Sequence, residues 1–210
     1  MKDLAIQTAR EAGERMQNVL REYLQNYLLV LMQKTKMNES LCFVGGTALR
    51  FIYRIRRFSE DMDFSAGKGW KASDLSLFMK KVGRELERAG YTFSIRIKED
   101  KTVQRAMMRF SGLLYELGLS GRREQNISVH IEVDLNPPRG GREEMTIINI
   151  HHSVLIRHLD LSSAFAGKLA AVLLRPYTKG RDIFDLFWFR SRWKELEPNF
   201  ILLNSAIAQQ

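Results

Sequence analysis

Two short stretches of this chain alternate with a period of two and carry acids on one face only. In Phe58–Ser65 the residues Phe58, Glu60, Met62 and Phe64 share one side. Ser59, Asp61, Asp63 and Ser65 share the other, because successive side chains on a strand point to opposite faces. His130–Leu135 repeats the pattern, with Ile131, Val133 and Leu135 on the apolar side and His130, Glu132 and Asp134 opposite. Strands of this kind demand a sheet with one face packed and one face open. Two carboxylates side by side repel, and a fold keeps them there mainly to bind a cation. If the two strands are neighbours, Asp134 becomes a third carboxylate near Asp61 and Asp63, with Glu132 as the competing candidate. Such a set suits one or two Mg²⁺ ions, with Mn²⁺ as a substitute, and in-line phosphoryl or nucleotidyl transfer. The alternative is a solvated strand face.

The remaining pattern is mixed. Residues 3–36 read as a helix whose stripe is Leu20, Leu24, Tyr27, Leu28 and Leu31. Leu41–Val44 reads as a buried strand broken by Gly45-Gly46, after which Thr47 caps a short helix over 48–53. A helix follows from Ser73 or Asp74 to Ala89, stopped by Gly90. Strand-like runs cover 91–98, 103–117 and 127–135, the last two joined by a glycine-containing loop at 118–123. Asn136–Arg142, N-P-P-R-G-G-R, is the strongest loop signal. Residues 145–150 suggest one more strand. Helices are expected over 163–174, 181–193 and within 196–210. The fold class is therefore α+β.

Composition limits the partners. The 33 Lys and Arg against 24 Asp and Glu give a net charge of +9 across 210 residues. A basic chain favours a polyanion such as nucleic acid, a nucleotide or a membrane surface. The single cysteine, Cys42, excludes an intrachain disulfide. No run reaches the ~18 apolar residues of a membrane helix, so a cytoplasmic protein without membrane association is expected.

The Gly45-Gly46-Thr47 turn adds a further element. Strand, glycine turn and helix start bring backbone amides and a positive dipole to an anion, and the Thr47 hydroxyl is placed to donate to a phosphate. The glycines are not a Walker loop, because no Lys follows in register. Asp61 then lies 14 positions after Thr47. This succession resembles the polymerase-β-like nucleotidyltransferase superfamily. The wider strings Gly45–Arg50, Tyr53 and Arg57–Phe64 resemble more narrowly its AbiEii family, to which MenT-type toxins also belong. Downstream, Ala166–Ala171, Arg175 and Arg181–Leu186 are similar to the family's later Lys and Arg-Asp-x-x-Asp motifs.

The resemblance implies a polymerase-β-like fold with a nucleotidyltransferase core over 1–155 and a helical subdomain over 156–210. It implies that Asp61 and Asp63 bind the metal and that Asp134 orients or deprotonates the attacking hydroxyl. Gly45, Gly46 and Thr47 would hold the β- and γ-phosphates of an NTP, and Lys168 would contact the triphosphate or departing pyrophosphate. Asp182 and Asp185 match the late acidic motif. Apart from the resemblance, Arg57 lies just before the acidic strand, where it is placed to grip phosphate or RNA backbone. Gly167 departs from the Glu that often precedes the family's lysine.

The expected function is NMP transfer from an NTP to an acceptor hydroxyl, on a tRNA 3′ end or a protein. The chain would be the toxin of a type IV toxin–antitoxin or phage-defence pair, with a winged-helix antitoxin. Two alternatives stay open: a small-molecule nucleotidyltransferase of the antibiotic-modifying type, and a non-catalytic nucleotide- or RNA-binding module. Asp182 and Asp185 also read simply as helix-start acids paired with Arg181. His151-His152 lacks further ligands at metal spacing, and Phe184, Phe187, Trp188 and Phe189 read as a core stripe.

Overall fold

The computed structural model describes residues 16–209. The part of the N-terminal helix expected before Met16 lies outside the described residues. Strands β1 (Leu41–Val44), β2 (Asp61–Ala66), β3 (Phe93–Glu99), β4 (Val103–Phe110), β5 (Ile127–Asp134), β6 (Glu143–Asn149) and β7 (Ser153–Leu159) form one sheet. Its order is β3-β4-β5-β2-β1-β7-β6. The pairs β2–β5 and β1–β7 are parallel and the others antiparallel. The architecture is mixed α+β, as the alternating and helical patterns imply.

Helices α1 (Met16–Lys34) and α3 (Asp74–Arg88) cover one face of the sheet. Leu20, Leu24 and Leu28 of α1 and Phe78, Val82 and Leu86 of α3 meet Met62, Phe64, Met108, Ile131 and Val133 there. These side chains are essentially removed from water, and each stabilises the fold by about 1.5–3 kcal/mol through burial. The apolar halves of the two alternating strands therefore fix which face is core. Their acidic halves point the other way.

Helix α1 also does polar work. The buried Gln25 side chain donates to the carbonyls of Ser59 and Glu60, both at 3.0 Å. Those residues therefore bond to α1, and β2 begins at Asp61 rather than at Phe58. Asn26 bonds the His152 backbone in both directions. The expected strand over 103–117 ends at Phe110, because Gly112 turns into the left-handed region (φ +71°) and α4 (Leu113–Glu116) follows.

On the second face, α2 (Gly45–Tyr53) leads into a layer of α5 (Leu161–Leu174), α6 (Gly180–Arg192) and α7 (Phe200–Ile207). The Asn136–Arg142 loop is tied to this layer. Asn199 Nδ2 donates to the Gly140 carbonyl at 2.7 Å, and the Arg142 amide donates to Ser163 Oγ at 3.0 Å. The boundary drawn at 155/156 falls inside β7, and the helical part starts at Leu161. The expected core stripe on α6 holds only in part. Phe189 is buried, but Phe184 and Phe187 face solvent.

Candidate active site

The parallel register of β2 with β5 sets the acidic cluster. Asp61 lies opposite His130, Asp63 opposite Glu132, and Ser65 opposite Asp134. Glu132 is thus the carboxylate beside Asp63. Asp134, the residue expected there, sits one same-face step further, roughly 6.6 Å along the strand. Its Oδ1 accepts from the Asn136 amide at 2.9 Å, so it caps the loop that follows. Glu132 in turn accepts from Arg105 Nε at 3.2 Å.

Asp63 is the most perturbed member. Burial, then the charges of Asp61 and Glu132, push its carboxyl up to about 6, against the opposing pull of Lys168 and Arg181. A carboxylate raised by its own neighbours gains most from a cation among them.

The glycine turn abuts this cluster because β1 pairs antiparallel with β2, with Val44 opposite Asp63. Gly45 follows at φ +76°, and a Cβ there would collide with the Asp63 carboxylate. Helix α2 starts at Gly45, three residues before the start expected at 48, and no side chain caps it. Its first amides are therefore left for another acceptor. Thr47 is buried and its hydroxyl donates to the Asp61 carbonyl. That bond staples α2 to β2 and takes the hydroxyl proton away from the phosphate role expected of it.

Cations face the acids from the helical layer. Arg57 grips Asp185 with both arms, Nε to Oδ1 at 2.6 Å and Nη2 to Oδ2 at 2.5 Å. Lys168 Nζ lies 2.8 Å from Asp185 Oδ2 and 3.1 Å from Asp182 Oδ1. Arg175 pairs with the other oxygen of Asp182. Arg181 reaches Asp61 Oδ2 at 3.7 Å, not the neighbouring Asp182 expected from the helix-start reading. Asp182 and Asp185 are fully buried. Burial alone would raise Asp182, but Lys168, Arg175 and Arg181 outweigh it and hold the carboxyl below its ordinary range.

Asp61, Asp63, Glu132, Arg57, Lys168, Arg175 and Arg181 line one cavity of about 730 Å³ together with Gly45 and Gly46. That volume suits a nucleotide-sized ligand. Among the described residues no three acids, histidines or cysteines already meet as a metal cage. Mg²⁺ seldom asks for one, since it takes one or two carboxylates and completes its shell with waters and substrate phosphates. The donor set therefore fits that ion. His151 and His152 lie elsewhere, packed against Tyr23.

The sequence profile of the nucleotidyl transferase AbiEii toxins of type IV toxin–antitoxin systems matches residues 27–209. The chain belongs to the AbiEii family. For this AbiEii protein the family implies a nucleotide substrate and an antitoxin partner. Two Helicobacter pylori crystal structures share the fold. JHP933 aligns at TM-score 0.58 and 22% identity, over 85% of this chain and 68% of its own. A provisionally assigned nucleotidyltransferase aligns at TM-score 0.61 and 22% identity, over 85% of this chain and 70% of its own. No curated protein matches the chain. No helix among the described residues is long and apolar enough to cross a membrane.

Proposed function

We propose that this AbiEii-family nucleotidyltransferase moves an NMP from an NTP to the terminal hydroxyl of an RNA acceptor, with Mg²⁺ held by Asp61 and Asp63. The acceptor oxygen bonds to the α-phosphorus, the bond to the bridging oxygen of the β-phosphate breaks, and pyrophosphate leaves. When bound, the cation neutralises phosphate charge and polarises the reacting oxygens. Glu132, beside Asp63, orients the attacking hydroxyl and accepts its proton. Gly45 and Gly46 let the open end of α2 approach the phosphates. Lys168, Arg175 and Arg181 meet the triphosphate charge, and Arg57 supports the same wall. Asp182 and Asp185 act as positioning residues that hold three of these cations toward the cavity. Positioning and charge compensation supply most of the catalysis in such reactions.

One observation carries this reading: the Asp61–Asp63–Glu132 cluster faces the Lys168–Arg175–Arg181 cations across a cavity floored by the α2 N-terminus. A winged-helix antitoxin is the partner we propose for the toxin role. The test is incubation of wild type and Asp61→Ala/Asp63→Ala with α-labelled NTPs, Mg²⁺ and total tRNA. Labelled RNA with wild type alone supports the reading. Equal labelling by both proteins overturns it.

A further inference from the structure

The open face of the sheet continues beyond the acids, away from the helical layer. Strand register arranges it in rows. Asp61 lies opposite His130, His130 opposite Met107, and Met107 opposite Arg96. The next row runs Asp63, Glu132, Arg105 and Lys98. Opposite partners share a face, so a carboxylate, a ring, a thioether and a cation stand in line across β2, β5, β4 and β3. At about 4.8 Å per strand, the row spans roughly 14 Å.

Charge along the face is unbalanced. Arg109 stands on the same side of β4 as Arg105, and both Arg96 and Arg109 are exposed. Arg105 is shared between Asp100 at 2.9 Å and Glu132 at 3.2 Å, and Lys98 leans on Asp100 at 3.4 Å. Among the described residues Arg96 and Arg109 are in no ion pair. Arg96 stands opposite Met107 and Arg109 opposite Ser94, so neither faces a carboxylate across the ladder. Two exposed cations without such a partner on one sheet face offer contacts to a polyanion lying across them.

We infer that this face is the track for the acceptor: a single-stranded RNA end crosses β3 and β4 on Arg96 and Arg109 and delivers its last base onto His130 and Met107. The inference rests on the nucleotidyl-transfer reading and names where its acceptor docks. A ring on a sheet face stacks any base, and His130 is the side chain beside Asp61. A base resting there puts its sugar hydroxyl at Asp61, Asp63 and Glu132. The NTP occupies the opposite side of the acids, against the helical layer, so the two substrates approach from two sides.

Three variants test the track: Arg96→Glu/Arg109→Glu, His130→Ala and His130→Phe. None of these positions lines the nucleotide cavity. Binding of a 5′-labelled single-stranded RNA oligonucleotide is followed by anisotropy across a salt series, and Mg²⁺–NTP binding is measured in parallel. The arginine pair is expected to weaken RNA binding at least about ten-fold and to flatten the log–log salt slope by about 1.4. His130→Ala weakens it about ten-fold and His130→Phe restores it, as stacking requires. NTP affinity stays at the wild-type value in all three. An unchanged RNA affinity and slope in the arginine pair overturns the track. So does the absence of RNA binding by a wild type that still binds Mg²⁺–NTP, a result that removes the RNA acceptor but leaves metal-dependent nucleotidyl transfer at Asp61 and Asp63 standing. Equal binding of poly-glutamate also overturns it.

Discussion

Asp185, on α6, holds both arms of the Arg57 guanidinium while its second oxygen also takes the Lys168 ammonium. The segment before β2 and the two consecutive helices α5 and α6 thus meet at one fully buried carboxylate. Removing one partner of a buried pair strands the others and costs about 3–5 kcal/mol. Asp185→Ala is therefore expected to lower the melting temperature by roughly 6–20 °C. It should also weaken NTP binding, because Lys168 and Arg57 lose their anchor. Thermal denaturation and nucleotide titration of the one variant check both.

The raised carboxyl of Asp63 gives a pH signature in the absence of metal. Its ordinary value of 3.8 becomes about 6 in the fold. Between these values the folded chain keeps a proton that the unfolded chain has released, so stability falls as pH rises through the window. The loss is about 3 kcal/mol at 1.36 kcal/mol per unit. Asp63→Asn mimics the protonated form. Urea denaturation should find it more stable than wild type at pH 7, and equal to it near pH 4. Saturating Mg²⁺ should narrow the gap at pH 7 by stabilising wild type alone.

Register distinguishes the two acids of β5. Glu132→Gln should reduce NMP transfer about 10²-fold or more, the usual scale for losing a positioned proton acceptor. Asp134→Asn keeps an oxygen for the Asn136 amide and should stay within a few-fold of wild type. Steady-state transfer rates for the two variants decide between them.

The turn at Gly45 is strict for two reasons. A Cβ there meets the Asp63 carboxylate, and φ is +76°. The left-handed backbone alone costs an alanine roughly 1–2 kcal/mol. Gly45→Ala is expected to cut transfer at least ten-fold while the far-ultraviolet circular dichroism stays unchanged.

Much of this site is legible in the linear chain, and the reasons for the remainder are physical. Alternation in 58–65 and 130–135 reveals which residues share a face, because a strand's period is local. It does not reveal register, which depends on where β2 and β5 lie beside each other. That is why the linear chain cannot say which of Glu132 and Asp134 stands opposite Asp63. Asp182 and Asp185 look like ordinary acids at a helix start, since their cations Lys168 and Arg57 sit 14 and 128 residues away from Asp182 and Asp185 respectively. Strand β7 escapes notice because Arg157 and His158 interrupt an apolar run, although Val154 and Ile156 alternate into the core. Thr47 is misread for a related reason. A hydroxyl after two glycines suggests a phosphate donor, and nothing local shows the Asp61 carbonyl that claims it.

Cation binding at Asp61 and Asp63 is the claim on which the rest stands, and Mn²⁺ reports on it without requiring turnover. Free Mn²⁺ is followed by electron paramagnetic resonance during titration with wild type and with Asp61→Asn/Asp63→Asn, each with a non-hydrolysable NTP. The account predicts stoichiometric Mn²⁺ uptake by wild type and none beyond the free nucleotide's own by the double variant. Matching uptake curves for the two proteins would contradict it.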